Sequence, residues 1–113
     1  MNEERKPYVN SEDPELLLIR GNIENREDAT DYVKKTANAI LKVIEKHGKA
    51  KLRCIGAAAV NNATKSTTIA RGDATSKGMH LVMEPSFVEV SFGDSGKKTG
   101  ILFEVYDIKA NKQ

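Results

Sequence analysis

The feature that most constrains this chain is a stripe of apolar residues. Ala29, Val33, Ala37, Ile40, Leu41 and Ile44 recur at threes and fours, the spacing of one buried face of an α-helix. Lys34, Lys35, Lys42, Glu45 and Lys46 occupy the other side. Asn25 or Asp28 can cap the start, where acids complement the helix dipole, and Gly48 after Lys46 and His47 supplies the stop. On one flank, ELLLIR at 15–20 reads as a buried strand ended by Gly21 and Asn22. On the other, KAKLRCI at 49–55 alternates, with Ala50, Leu52 and Cys54 on one side. Strand, helix and strand in this order predict a right-handed crossover between parallel strands.

A second helix is expected from Gly56 or Ala57 to about Arg71, with Gly72 as its cap and a stripe of small residues at Ala59, Val60, Ala63, Thr67 and Ala70. A loop at 73–78 follows, then a strand at 79–84 that Pro85 interrupts. Proline cannot donate to a sheet ladder, so the strand there is at an edge or bulged. FVEVSF at 87–92 resumes the extended pattern, and a turn at 93–98 returns the chain into a strand at 99–108. The order βαβαββ predicts an α/β two-layer sandwich, a mixed four-stranded sheet under two helices. The length of 113 residues suits one domain, placed at 15–108 between a flexible leader at 1–14 and a frayed tail at 109–113.

Net charge is only +2, but it is unevenly spread. Residues 1–15 are net acidic, whereas between Glu45 and Asp73 there is no acid and six cations: Lys46, Lys49, Lys51, Arg53, Lys65 and Arg71. Such a block suits a polyanionic partner. Within it, Asn61, Asn62, Lys65 and Arg71 share the second helix, and lysine neutralises phosphates while asparagine amides donate to phosphate or sugar oxygens. Lys97 and Lys98 lie in the hairpin turn GDSGKKTG. That turn is not a phosphate loop, because its glycine spacing is wrong and strands flank it.

Other functions find little support. The chain has one cysteine, Cys54, so no internal disulfide can form, and His47 and His80 have no partner at metal-ligand spacing. There is no nucleophile elbow. No catalysis and no cofactor are expected. With no apolar run of membrane length and no apolar core near the start, a cytoplasmic protein without membrane contact is expected.

IGAAAVNNATKSTTIARG at 55–72, followed by Gly78, LVMEPSF and SGKKTGI, resembles the stage V sporulation protein S family of the wider Alba-like superfamily. The resemblance covers about residues 15–108. It implies the βαβαββ fold, a homodimer, and binding of DNA or RNA by a regulatory factor without catalysis. The surface it implies comprises the start of the first helix, part of the second, and the hairpin arms of both subunits. Lys65 and the Asn61–Asn62 pair match the helix motif, and Lys97 and Lys98 match a basic arm tip. The loop GNIENRED departs from the superfamily pattern, offering Arg26 among acids where a lysine pair is usual, which argues against high-affinity coating of DNA. The expected interface is therefore Arg53, Lys65, Arg71, Lys97 and Lys98 on phosphates, with Asn61 and Asn62 as hydrogen-bond donors. The alternative is a protein-interaction or assembly module in which the small-residue helix makes a subunit contact.

Overall fold

The computed structural model describes residues 8–9 and 12–110. The chain runs β1 (Tyr8–Val9), β2 (Leu16–Ile19), α1 (Arg26–His47), β3 (Lys49–Cys54), α2 (Ala57–Thr75), β4 (Leu81–Ser91) and β5 (Lys97–Asp107). The strands form one sheet in the order β1-β2-β3-β5-β4. β2 and β3 are parallel, as the crossover through α1 requires, and the other neighbours are antiparallel. The mixed four-stranded sheet with two helices is as expected, and β1 adds a two-residue fringe along β2.

Sheet and helices meet through the predicted periodicities. Leu17 and Ile19 of β2, Ala50, Leu52 and Cys54 of β3, and Phe103 and Val105 of β5 are buried in one cluster with Ala37, Ile40, Leu41 and Ile44 of α1. Full burial of a side chain such as Leu52 contributes about 1.5–3 kcal/mol. α2 buries only small groups, Ala59, Ala63, Ser66, Thr67, Ala70 and Ala74. The opposite face of the sheet is left uncovered by helices, and Lys49, Lys51 and Arg53 point to it, alternating with the buried residues of β3.

The ends of α1 follow their chemistry. Asn25 is the N-cap, its side-chain oxygen accepting from the Asp28 N–H at 3.1 Å, and Gly48 closes the helix in the left-handed region at φ 90°. α2 differs from expectation at its end. It runs through Gly72 to Thr75 and is capped by Ser76. Gly72 has ordinary helical geometry with open space around it, and Ala74 beyond it is a core residue, so burial carries the helix past the glycine.

β4 is also continuous where an interruption was expected. Pro85 stands opposite Phe103 in an unbroken ladder. β4 is the outermost strand, so its missing N–H costs nothing on the open side. Residues of the expected leader also make contacts: β1 pairs with β2, and Asp13 reaches the Lys51 ammonium at 2.7 Å, joined by Glu15 of the domain at 3.7 Å. Residues 1–7, 10, 11 and 111–113 of the expected leader and tail lie outside the described residues.

This topology places three features at one end of the molecule. β2 and β3 point the same way, so the starts of α1 and α2 both follow from that end. Cys54, the last residue of β3, is paired with Ile101, so the remainder of the β4–β5 hairpin extends past it as an arm. Gly100 permits the exit. A Cβ there would sit 2.4 Å from the Cys54 carbonyl oxygen and 2.6 Å from Ile55 Cδ1.

Candidate functional site

The first half of α1 and the middle of α2 enclose a groove of about 790 Å³. Ala29, Val33 and Ile69 give it an apolar floor, and Thr30, Thr64 and Thr68 bring hydroxyls. Arg26, Lys34 and Lys65 bring three cations, and none of the described lining residues is acidic. None of these three cations forms an ion pair among the described residues. A concave surface lined by one sign of charge concentrates its potential and attracts anions. Lys65 was anticipated from sequence; Arg26 and Lys34 were not. Arg26, Thr30 and Lys34 lie four apart and so share one face of α1, but only the packing of the helices shows that this face meets Lys65.

Asn62 does something different from what its residue type suggested. Its side-chain nitrogen donates to the carbonyl oxygens of Arg20 and Gly21, each at 2.9 Å. Two carbonyl neighbours can only be met by the NH₂ end of the amide. Both donors are therefore spent on the turn that leaves β2, and Asn62 is not available to donate to a ligand. The same turn is held from α1, where the hydroxyl of buried Tyr32 accepts from the Arg20 N–H at 2.7 Å. Burial pushes the Tyr32 hydroxyl above its ordinary pKa. Asn61 is exposed and keeps its amide free of hydrogen bonds among the described residues.

The basic block that is free of acids in sequence is not free of them in space. Lys51 is bound by Asp13 and Glu15, and Lys49 lies 3.6 Å from Glu104. The hydrogen bond from Lys51 holds the Asp13 carboxyl below its usual range and raises Lys51 in turn. Arg53 sits in register with Leu18 and Leu102 on the uncovered sheet face, turned away from Lys65. Arg71 lies across the Thr64–Thr68 ridge of α2 from the groove, beside β4, with a guanidinium nitrogen 3.4 Å from His80 Nε2. The seven sequence candidates thus do not converge on one surface of this chain.

At the arm tip a short 3₁₀ turn, Gly93–Ser95, joins β4 to β5. Lys97 lies 3.9 Å from Glu89, and the Lys98 ammonium lies 5.5 Å from the centre of the Phe92 ring. Lower on the arm Phe87 is 82% exposed beside Pro85 and Ile101, around a shallow apolar hollow of about 350 Å³.

Elsewhere the chemistry is quiet. Cys54 is fully buried and burial pushes its thiol up to about 12, so it is protonated and unreactive. Among the described residues no three His, Cys, Asp or Glu side chains come together in a metal-binding group, and no helix is long and apolar enough to cross a membrane. Compared with known families, residues 28–108 match a family model described as stage V sporulation protein S.

Proposed function

The chain belongs to the stage V sporulation protein S family, membership that supports a sporulation-related regulatory role, and on that premise we propose that it acts by binding DNA or RNA, without a reaction of its own. The observation that carries this reading is the groove between α1 and α2, with Arg26, Lys34 and Lys65 unopposed by any described lining acid. Phosphates are met there by the three cations, with the Thr30 hydroxyl beside them in the groove and Asn61 one turn before Lys65 on α2 as hydrogen-bond donors; the Thr64 hydroxyl is spent on the Val60 carbonyl at 2.9 Å. The arm, rising from the same end, adds Lys98 and, more weakly, the Glu89-paired Lys97. Arg53 and Arg71 belong to other surfaces and Asn62 to the scaffold. A cytoplasmic location goes with this reading, as does a homodimer, for which the exposed Phe87 and its apolar neighbours supply a contact surface.

The test is titration of labelled DNA and RNA duplexes by fluorescence anisotropy across a range of salt. Each phosphate contact removed lowers the slope of log affinity against log salt by about 0.9 for duplex DNA. The triple variant Arg26→Ala, Lys34→Ala, Lys65→Ala is expected to lose between two and three units of slope, and Arg53→Ala none. An unchanged slope in the triple variant overturns the assignment. Phe87 favours a second reading, a protein-interaction or assembly module. In that case neither duplex binds at low salt, while Phe87→Ser abolishes a nuclease-resistant association.

A further inference from the structure

The hairpin tip carries an aromatic ring that the phosphate reading leaves unused. Phe92 is 44% exposed at the point where β4 ends, although it could have been polar at no cost to the core. Its backbone is fixed on both sides of the turn: its N–H donates to the Gly96 oxygen at 2.7 Å and its carbonyl accepts from the Ser95 N–H at 3.1 Å. The residues beyond it, Gly93, Asp94, Ser95 and Gly96, are small, so the turn itself brings no bulky side chain to the ring. The Lys98 ammonium stands over the ring at 5.5 Å, a cation–π contact that orients the two groups together. Two carboxylates are near, Asp94 in the turn and Glu89, which is turned toward Lys97. Lys98 is thus the cation left to serve a ligand at the tip.

A flat apolar ring with a cation over it, held on a short hydrogen-bonded turn, has the composition of a single-strand stacking site: a base lies on the ring in place of the ammonium, which swings to the adjoining phosphate. A base inside an intact duplex offers no face to such a ring. We propose that Phe92 stacks on an unpaired base of a single-stranded or locally opened nucleic acid, with Lys98 on the neighbouring phosphate. This rests on the nucleic-acid reading above and adds a class of substrate to it, strands with accessible bases.

The experiment uses the full chain with a short oligothymidylate carrying one 2-aminopurine, whose fluorescence is quenched on stacking, beside a fully paired duplex of the same length. Wild type is expected to quench the probe and to bind the single strand. Phe92→Ala should abolish the quench and weaken single-strand binding about 5- to 160-fold, the range of one lost stacking contact. Its salt slope and duplex affinity should be kept. Phe92→Tyr should restore the quench, which separates loss of the ring from damage to the turn. A Phe92→Ala protein that quenches and binds like wild type overturns the stacking site alone. A wild-type protein that binds neither strand nor duplex at low salt overturns the nucleic-acid reading and this inference with it.

Discussion

Replacement of Asn62 by alanine separates a scaffold role from a ligand-binding role for the residue. The substitution removes two hydrogen bonds of 2.9 Å, to the carbonyls of Arg20 and Gly21. Each such bond contributes a net ~0.5–1.5 kcal/mol, and a carbonyl left without a partner costs more where water cannot reach it. The Arg20 carbonyl is near solvent and recovers a water, whereas the Gly21 carbonyl is partly covered and recovers less. The gain in helix propensity from asparagine to alanine returns a few tenths of a kcal/mol. The expected loss is about 2 kcal/mol, which for a domain of this size lowers Tm by roughly 8 °C. Asn61→Ala is the matched control, one position earlier on the helix and exposed, and is expected to change stability by less than ~0.5 kcal/mol. Urea and thermal unfolding of both variants, followed by circular dichroism, measure the contrast. If Asn62→Ala matches Asn61→Ala in stability and instead loses nucleic-acid affinity, the scaffold argument is wrong and the amide faces a ligand.

Three further outcomes follow from the packing. Gly100→Ala places a methyl within 2.4 Å of a backbone oxygen and should cost about 1–3 kcal/mol or more, seen as a Tm fall of several degrees. Gly72→Ala does the reverse: open space and helical geometry predict a gain of roughly 0.5–1 kcal/mol in the same assay. The Asp13–Lys51 pair depends on pH in two directions. Asp13 is depressed on folding, so its contribution is present above the unfolded carboxylate value near 3.8 and is lost as pH falls through the folded one. Lys51 is raised, so its share is present below the unfolded value near 10.5 and is lost as pH rises through the folded one. Because the pair is partly exposed, its worth is under ~1 kcal/mol. Lys51→Met should therefore narrow its stability deficit against wild type at both extremes of pH, and a deficit that is constant from acid to alkali would refute the linkage.

Much of the fold was legible because it rests on local periodicity. The α1 stripe and the alternation of Ala50, Leu52 and Cys54 each reported a face that the structure buries. The departures came where tertiary contact outweighed a local signal. Gly72 reads as a helix stop, but Ala74 has a core position to fill. Pro85 reads as a strand break, but an outermost strand forgives it. The site was legible in pieces. Lys65 was visible as a cation on a small-residue helix, whereas Arg26 read as a loop residue among acids and Lys34 as one of several lysines on the polar side of α1. What joins them is the way two helices cross, which no single stretch encodes. Conversely the acid-free run from Lys46 to Arg71 suggested one basic face, yet residues distant in sequence, Asp13, Glu15 and Glu104, neutralise Lys49 and Lys51. Asn62 misled for a related reason: a polar side chain in a helix signals that it has a partner but not that the partner is the chain's own backbone.

The proline in the outermost strand has a consequence for how this molecule meets others. An eleven-residue strand whose outer edge is unpaired among the described residues is a template on which a second chain could extend the sheet and seed fibres. Pro85 removes one rung near its middle, and Glu84 and Glu89 add like charges that a second copy in register would meet. Sheet extension along β4 is thereby discouraged, and any partner that takes hold of the arm does so by its side chains.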